Sequence, residues 1–193
     1  MSFSRRDALL AGATGLVAAP LLSSQASAQN RSPAHSASVD HGQRYRPGRP
    51  GEDYRPVITP NGATLDYRIV DGIKVFHLVA EEVEHEFAPG LTARTWGYNG
   101  RTHGPTIECV EGDRVRVYVT NRLIAPTTVH WHGVILPSGM DGVGGLSQRS
   151  IHPGETFVYE WTFRQHGTFM YHSHHDEMTQ MAMGLMGMIV VHP

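Results

Sequence analysis

Four of this chain's 13 histidines form two pairs set one residue apart. "TTVHWHGV" (127–134) places His130 and His132 in an apolar, β-prone run, and "GTFMYHSHHDEM" (167–178) repeats the spacing at His172 and His174. In an extended chain alternate side chains share a face, so His130 and His132 point together while Trp131 points away. With a rise of about 3.3 Å per residue their Cβ atoms lie roughly 6.6 Å apart, a separation better suited to two neighbouring metal ions than to chelation of one. A single histidine is most often a hydrogen-bonded core residue; two pairs with matched spacing point to a metal centre built from four imidazoles. Neutral imidazole binds zinc, copper, iron and nickel alike, so the histidines alone leave the metal open.

The elements that must carry these pairs are short strands. After Val57 the sequence breaks into β-prone segments, among them "DGIKVFHLVAEEVEHEF", "LTARTWGYNG", "TIECVEGDRVRVYVTN", "TTVHWHGVIL", "ETFVYEWTF" and "LMGMIVVHP", punctuated by Gly, Pro, Asn and Asp. Val115, Val117 and Val119 alternate with Arg114, Arg116 and Tyr118; Phe157, Tyr159, Trp161 and Phe163 alternate with Val158, Glu160 and Thr162. Each of these strands therefore has one buried face, and the pattern predicts an all-β, antiparallel sandwich or barrel. Only "DEMTQMAMG" reads as locally helical, for one or two turns.

Composition sets the limits. The chain of 193 residues is 40% hydrophobic, enough for one globular domain with its own core. A net charge of −2 and the lack of a basic run exclude a nucleic-acid or membrane-surface partner held by charge. Cys109 is the sole cysteine, so no intrachain disulfide forms and no CxxC metal knuckle exists.

The N-terminus reads as an address. Arg5 and Arg6, a modestly apolar stretch from Ala8 to Leu22 and the A-x-A signal at Ala26-Ser27-Ala28 look like a twin-arginine export signal over residues 1–28, which predicts a periplasmic or exported protein. Ala8 stands where a large apolar residue is usual, so general secretion or a retained anchor stays open. The apolar run is too short and glycine-rich for a stable membrane span. Residues 29–56, with "HGQRYRPGRPGEDYRP", show no apolar period and read as a flexible linker; His35 and His41 fall within it. The globular domain is expected over residues 57–193.

"HWHG" followed by "YHSH", with "MDGVGGLSQRSIHPGETFVYEW" between them, resembles the N-terminal cupredoxin domain of bacterial multicopper oxidases, a likeness that runs from about Val57 to Pro193. The resemblance implies a cupredoxin-like (plastocyanin-like) Greek-key β-sandwich. It further implies that the domain contributes to a trinuclear copper cluster that reduces dioxygen to water with electrons from phenolic or metal-ion substrates. Carried over position by position, His130 would bind the type 2 copper, and His132, His172 and His174 the type 3 pair. Asp141, in "GMDG", matches an acidic residue that hydrogen-bonds near the cluster and helps deliver protons; read alone, Asp141-Gly142 is a common turn pair.

The departures are as informative. A type 1 copper needs a cysteine thiolate beside two histidines, yet Ser173 occupies the middle of "HSH" and Cys109 sits in a strand-like run with no such motif. The resemblance thus implies that the remaining ligands come from C-terminal cupredoxin domains of the same or another chain, and that this stretch is catalytically incomplete by itself. Two other readings stay in play: a noncatalytic periplasmic module that sequesters or delivers Cu(I), and a zinc-bearing structural domain. Met178 and Met181, three apart on the short helical stretch, are candidate accessory ligands, because a thioether is a soft donor suited to Cu(I). His166 and His175 flank the second pair as candidate supporting residues.

Overall fold

The computed structural model describes residues 46–193. The expected export signal (1–28), its twin arginines, and His35 and His41 lie outside the described residues. In chain order the described residues form β1 (Tyr67–Val70), β2 (Ile73–Ala88), β3 (Leu91–Tyr98), β4 (Ile107–Val110), β5 (Arg114–Asn121), β6 (His130–His132), β7 (Thr156–Thr162), β8 (Gly167–His172), a short helix α1 (Glu177–Gln180) and β9 (Met186–His192).

The period-two pattern in β5 and β7, which pair antiparallel, becomes one continuous inner wall. Val115, Val117 and Val119 are buried, as are Tyr159, Trp161 and Phe163, while Arg114 and Arg116 reach across the outer surface to Glu160. These strands belong to a five-stranded sheet in the order β1-β2-β5-β7, with β3 paired to β2. The second sheet, β4-β9-β8-β6, packs against it through Ile107, Cys109, Trp131, Tyr171, Ile189 and Val191, which join Phe76, Leu78, Val117 and Trp161 in one hydrophobic cluster. The architecture is a cupredoxin-like β-sandwich.

The antiparallel expectation needs one correction, since β2 pairs with β5, and β4 with β9, in parallel. Parallel neighbours need a long crossover. Here the chain leaves each sheet and returns to it, which local alternation cannot reveal. The strand expected across "TTVHWHGVIL" is also shorter, with only His130–His132 in the ladder, because Gly133 takes up φ +83 and ends the extended run.

Arg46–Pro56, within the expected linker, packs onto the domain. Tyr54 is buried and stacks on His192 with ring centroids 4.4 Å apart, the Gly48 N–H donates to Asp113 Oδ1 at 2.8 Å, and just beyond it the Val57 N–H donates to Glu108 Oε1 at 2.9 Å. No helix among the described residues is long and apolar enough to cross a membrane.

Candidate metal centre

β6 and β8 run antiparallel with His130 opposite His172, Trp131 opposite Tyr171 and His132 opposite Met170. Residues directly opposite on antiparallel strands project to the same face. Trp131 and Tyr171 therefore turn together into the core, their ring centroids 6.2 Å apart, and His130, His132 and His172 turn together to the other side. The aromatic residue inside each motif anchors the strand while its histidine neighbours stay available.

One candidate ligand nitrogen from each of His130, His132 and His172 lies within 4.8 Å of the other two. This is tighter than the sequence spacing implies, because the third imidazole enters from the neighbouring strand and the rings of His130 and His132 lean to a centroid separation of 5.6 Å. The nearest approach is His132 Nδ1 to His172 Nε2, 3.2 Å.

Hydrogen bonds decide which nitrogens are free. His130 Nδ1–H donates to the Asp141 backbone carbonyl at 2.7 Å and His172 Nδ1–H donates to the Ser173 carbonyl at 2.8 Å, so each ring presents a bare Nε2. A carbonyl on the far nitrogen is the usual outer support of a metal-binding histidine, fixing its tautomer and orientation. Burial holds His172 below the ordinary imidazole value; the Ser173 carbonyl opposes this, and the neighbouring His130 and His132 reinforce it. The neutral ring so favoured is the form that binds a metal. With the His172 Nδ1 hydrogen committed elsewhere, two ring nitrogens 3.2 Å apart are satisfied by one shared proton or one shared cation. The donor set fits a borderline-soft transition metal such as copper.

Asp141 reaches this centre chiefly through its main chain, and its carboxylate Oδ1 lies 3.4 Å from His130 Nδ1 on the half-exposed side. Its neighbour Gly142 holds φ +80, and a Cβ there would run into the Val129 carbonyl oxygen and come within 2.8 Å of His130 Cα. The glycine that reads as turn chemistry is what lets the Asp141 carbonyl touch the His130 ring.

His174 lies just beyond the end of β8, its ring centroid 5.3 Å from that of His130, but its Nε2 meets Glu177 Oε1 at 2.9 Å and does not join the three converging nitrogens. Met178 is 89% exposed and Met181, at the C-terminal cap of α1, is half-buried. His175 Nδ1 contacts Ser150 Oγ at 3.2 Å, and His166 Nδ1 pairs with Glu111 Oε2 at 2.6 Å. Cys109 is buried in β4, on the inner side of its sheet. Thr127, the Ser173 hydroxyl and Gln180 form a buried polar knot that no two-residue pattern in the sequence marks. The signal was a glutamine inside the short helical stretch next to the second histidine pair.

The fold and the cluster together define a cupredoxin-type, copper-binding domain whose three imidazoles are consistent with part of a copper site. Residues 79–193 match the family model described as multicopper oxidase, and the chain belongs to that family. It is 47% identical over 93 residues to copper resistance protein A of Pseudomonas syringae pv. tomato, covering 48% of this chain and 15% of that protein. It is 43% identical over 118 residues to an L-ascorbate oxidase of Cucurbita pepo var. melopepo, covering 58% and 21% of the two. The crystal structure of a multicopper oxidase from Pseudomonas thermotolerans superposes with a TM-score of 0.60 at 42% identity, over 61% of this chain and 29% of that one. A Campylobacter jejuni multicopper oxidase, described as a metallo-oxidase, gives 0.61 at 32% identity over 69% and 29%. The chain thus spans less than a third of each of these four proteins.

Proposed function

We propose that this is the N-terminal cupredoxin domain of a multicopper oxidase and that it supplies four imidazoles to a trinuclear copper cluster. His130 would hold the type 2 copper; His132, His172 and His174 would hold the type 3 pair. Other cupredoxin domains, in the same or another chain, would provide the remaining ligands and the type 1 site. Bound copper would supply one-electron redox chemistry, by which electrons from phenolic or metal-ion substrates reduce dioxygen to water.

The chain's own residues would orient and protonate. The Asp141 and Ser173 carbonyls fix the His130 and His172 rings with Nε2 outward. For His174, release of Nε2 from Glu177 would be part of metal loading. The Asp141 carboxylate, 39% exposed and beside His130, sits where it can pass protons from solvent towards the cluster. The domain layout that goes with this reading is an export signal at 1–28, a linker at 29–56 whose last stretch, Arg46–Pro56, packs on the domain, and the copper domain at 57–193, with twin-arginine export to the periplasm.

The observation that carries the reading is the His132 Nδ1 to His172 Nε2 approach at 3.2 Å, with the bare His130 Nε2 of the same three-nitrogen cluster beside it. The test is copper loading of the full chain followed by spin resonance and metal analysis. His132→Ala and His172→Ala are each expected to lose most of the bound copper while keeping the β-sheet circular dichroism of the parent. Undiminished copper in both variants would refute the ligand assignment. One observation favours the second reading, a noncatalytic copper-binding or copper-delivery module: Met178, four residues after His174, stands almost fully in solvent. Cu(I) that stays bound in His132→Ala and is lost in Met178→Leu would support it.

A further inference from the structure

The β6–β8 ladder is three residue pairs long. So short a ladder leaves the mutual tilt of the two histidine-bearing segments weakly determined. A second fastening lies directly behind it. Thr127, three residues before His130, donates from Oγ1 to Gln180 Oε1 at 2.8 Å, and Ser173, between His172 and His174, donates from Oγ to the same oxygen at 2.6 Å. Gln180 Nε2 in turn donates to the Pro126 carbonyl at 2.8 Å. The Ser173 hydroxyl also accepts from the His175 N–H at 3.2 Å. Thr127 and Ser173 are fully buried and Gln180 is 1% exposed.

The chemistry of the amide suits this place in a way that no other side chain of its length does. One carbonyl oxygen offers two lone pairs and takes two hydroxyl protons, while the NH₂ group supplies the donor that Pro126 requires. A glutamate would set a carboxylate oxygen against the Pro126 carbonyl and leave a buried charge unpaired; a methionine of similar length would remove the acceptor the two hydroxyls share, leaving each only its own longer contact, Ser173 Oγ to the His175 carbonyl at 3.2 Å and Thr127 Oγ1 to the Thr128 carbonyl at 3.4 Å, and so unfasten the two segments.

We infer that Gln180 is a positioning residue for the metal centre: by tying Thr127 to Ser173 it fixes the spacing between the segments that carry His130, His132 and His172. Thr127, Ser173 and Gln180 stand outside the three converging imidazoles. The inference rests on the reading of those histidines as copper ligands.

The test is Cu(II) titration of the full chain against a competing chelator, together with its spin-resonance spectrum, for the parent and for Thr127→Val, Thr127→Ser, Gln180→Met and His132→Ala. Thr127→Val keeps the shape of the side chain and removes the hydroxyl; Thr127→Ser keeps the hydroxyl. Thr127→Val and Gln180→Met are expected to bind copper about 10- to 100-fold more weakly, the usual cost of losing an outer-sphere support, with an altered spectrum. Thr127→Ser should keep affinity and spectrum at the parent values, whereas a contribution of bulk alone would weaken Thr127→Ser and spare Thr127→Val. Should Gln180→Met fail to fold, the Val/Ser pair at Thr127 decides the matter alone. Parental affinity and spectrum in Thr127→Val, alongside loss in His132→Ala, would overturn the positioning role and spare the ligand assignment. Parental affinity in His132→Ala would overturn both.

Discussion

The two ends of β9 handle polar groups in opposite ways. Met186 pairs with His172 at the metal end, and His192 lies about 20 Å further along the strand. At the metal end three imidazoles present nitrogens that no protein donor or carbonyl claims, apart from the His132–His172 approach itself. At the far end the groups close on one another. Lys74 Nζ is buried against Asp113 Oδ2 at 2.7 Å and lies over the ring faces of Tyr54 and Tyr67, 5.4 and 4.8 Å from their centroids. Asp113 also accepts the Gly48 and Val110 N–H groups, and Glu108 meets the Val57 N–H and His192. Both ends bury polar atoms. What separates a binding site from a structural clasp is whether those atoms find their partners inside the chain.

The contrast can be broken most forcefully at the clasp. Asp113→Ala would strand a buried ammonium and orphan two backbone donors, and removal of one member of a buried pair typically costs about 3–5 kcal/mol. A loss of that size is expected in chemical denaturation, with copper affinity unchanged because the pair lies at the other end of the strand. Weakened copper binding in a variant that remains folded would mean that the two ends are coupled and the distinction drawn between them is false.

A smaller effect is expected from acid, and it should come from the metal end. His172 has its proton affinity lowered in the folded chain, chiefly by burial, relative to about 6.5 for an ordinary histidine. The unfolded state therefore binds the proton more readily, so this group's contribution to stability is present above about pH 6.5 and is lost as the pH falls towards the folded value. The denaturation midpoint of the metal-free protein should drop between pH 7 and pH 5, and His172→Gln should flatten that slope. An equal slope in the variant would assign the acid sensitivity elsewhere.

How much of this could be read from residues alone depends on the range of the interactions involved. The His pairs, the inward Trp131 and the valine alternation of β5 follow from a two-residue period, which is local. The parallel pairings of β2 with β5 and β4 with β9 depend on crossovers, which are not. The approach of His132 to His172 joins positions 40 apart, and the clasp joins Gly48 to Asp113 over 65. "RPGRPGEDYRP" looks like linker because it is held by the Gly48 N–H, a buried Pro47 and a single tyrosine, which together leave no apolar period. Asp141 was singled out for its carboxylate, yet its shortest contact with the site is a carbonyl, which any residue carries; the specific signal was Gly142. Gln180 was hidden by type, since a glutamine in a short helix most often faces water.

The finest test of the contrast is Cys109. It lies at the clasp end, buried in β4 among Lys74, Asp113 and Glu108. Burial drives its thiol far above the usual range; the Lys74 ammonium pulls the other way, and Asp113 and Glu108 add to the rise. Thiolate is the reactive form, so a closed clasp predicts no alkylation of the native protein at pH 8, and labelling that proceeds only through unfolding. In Asp113→Ala the labelling rate should rise in step with the population of unfolded chain, measured independently by denaturation. Modification of the native parent at the rate of a free thiol would show that this end opens without unfolding. The clasp would then have to be regarded as accessible from outside, as the histidine face is.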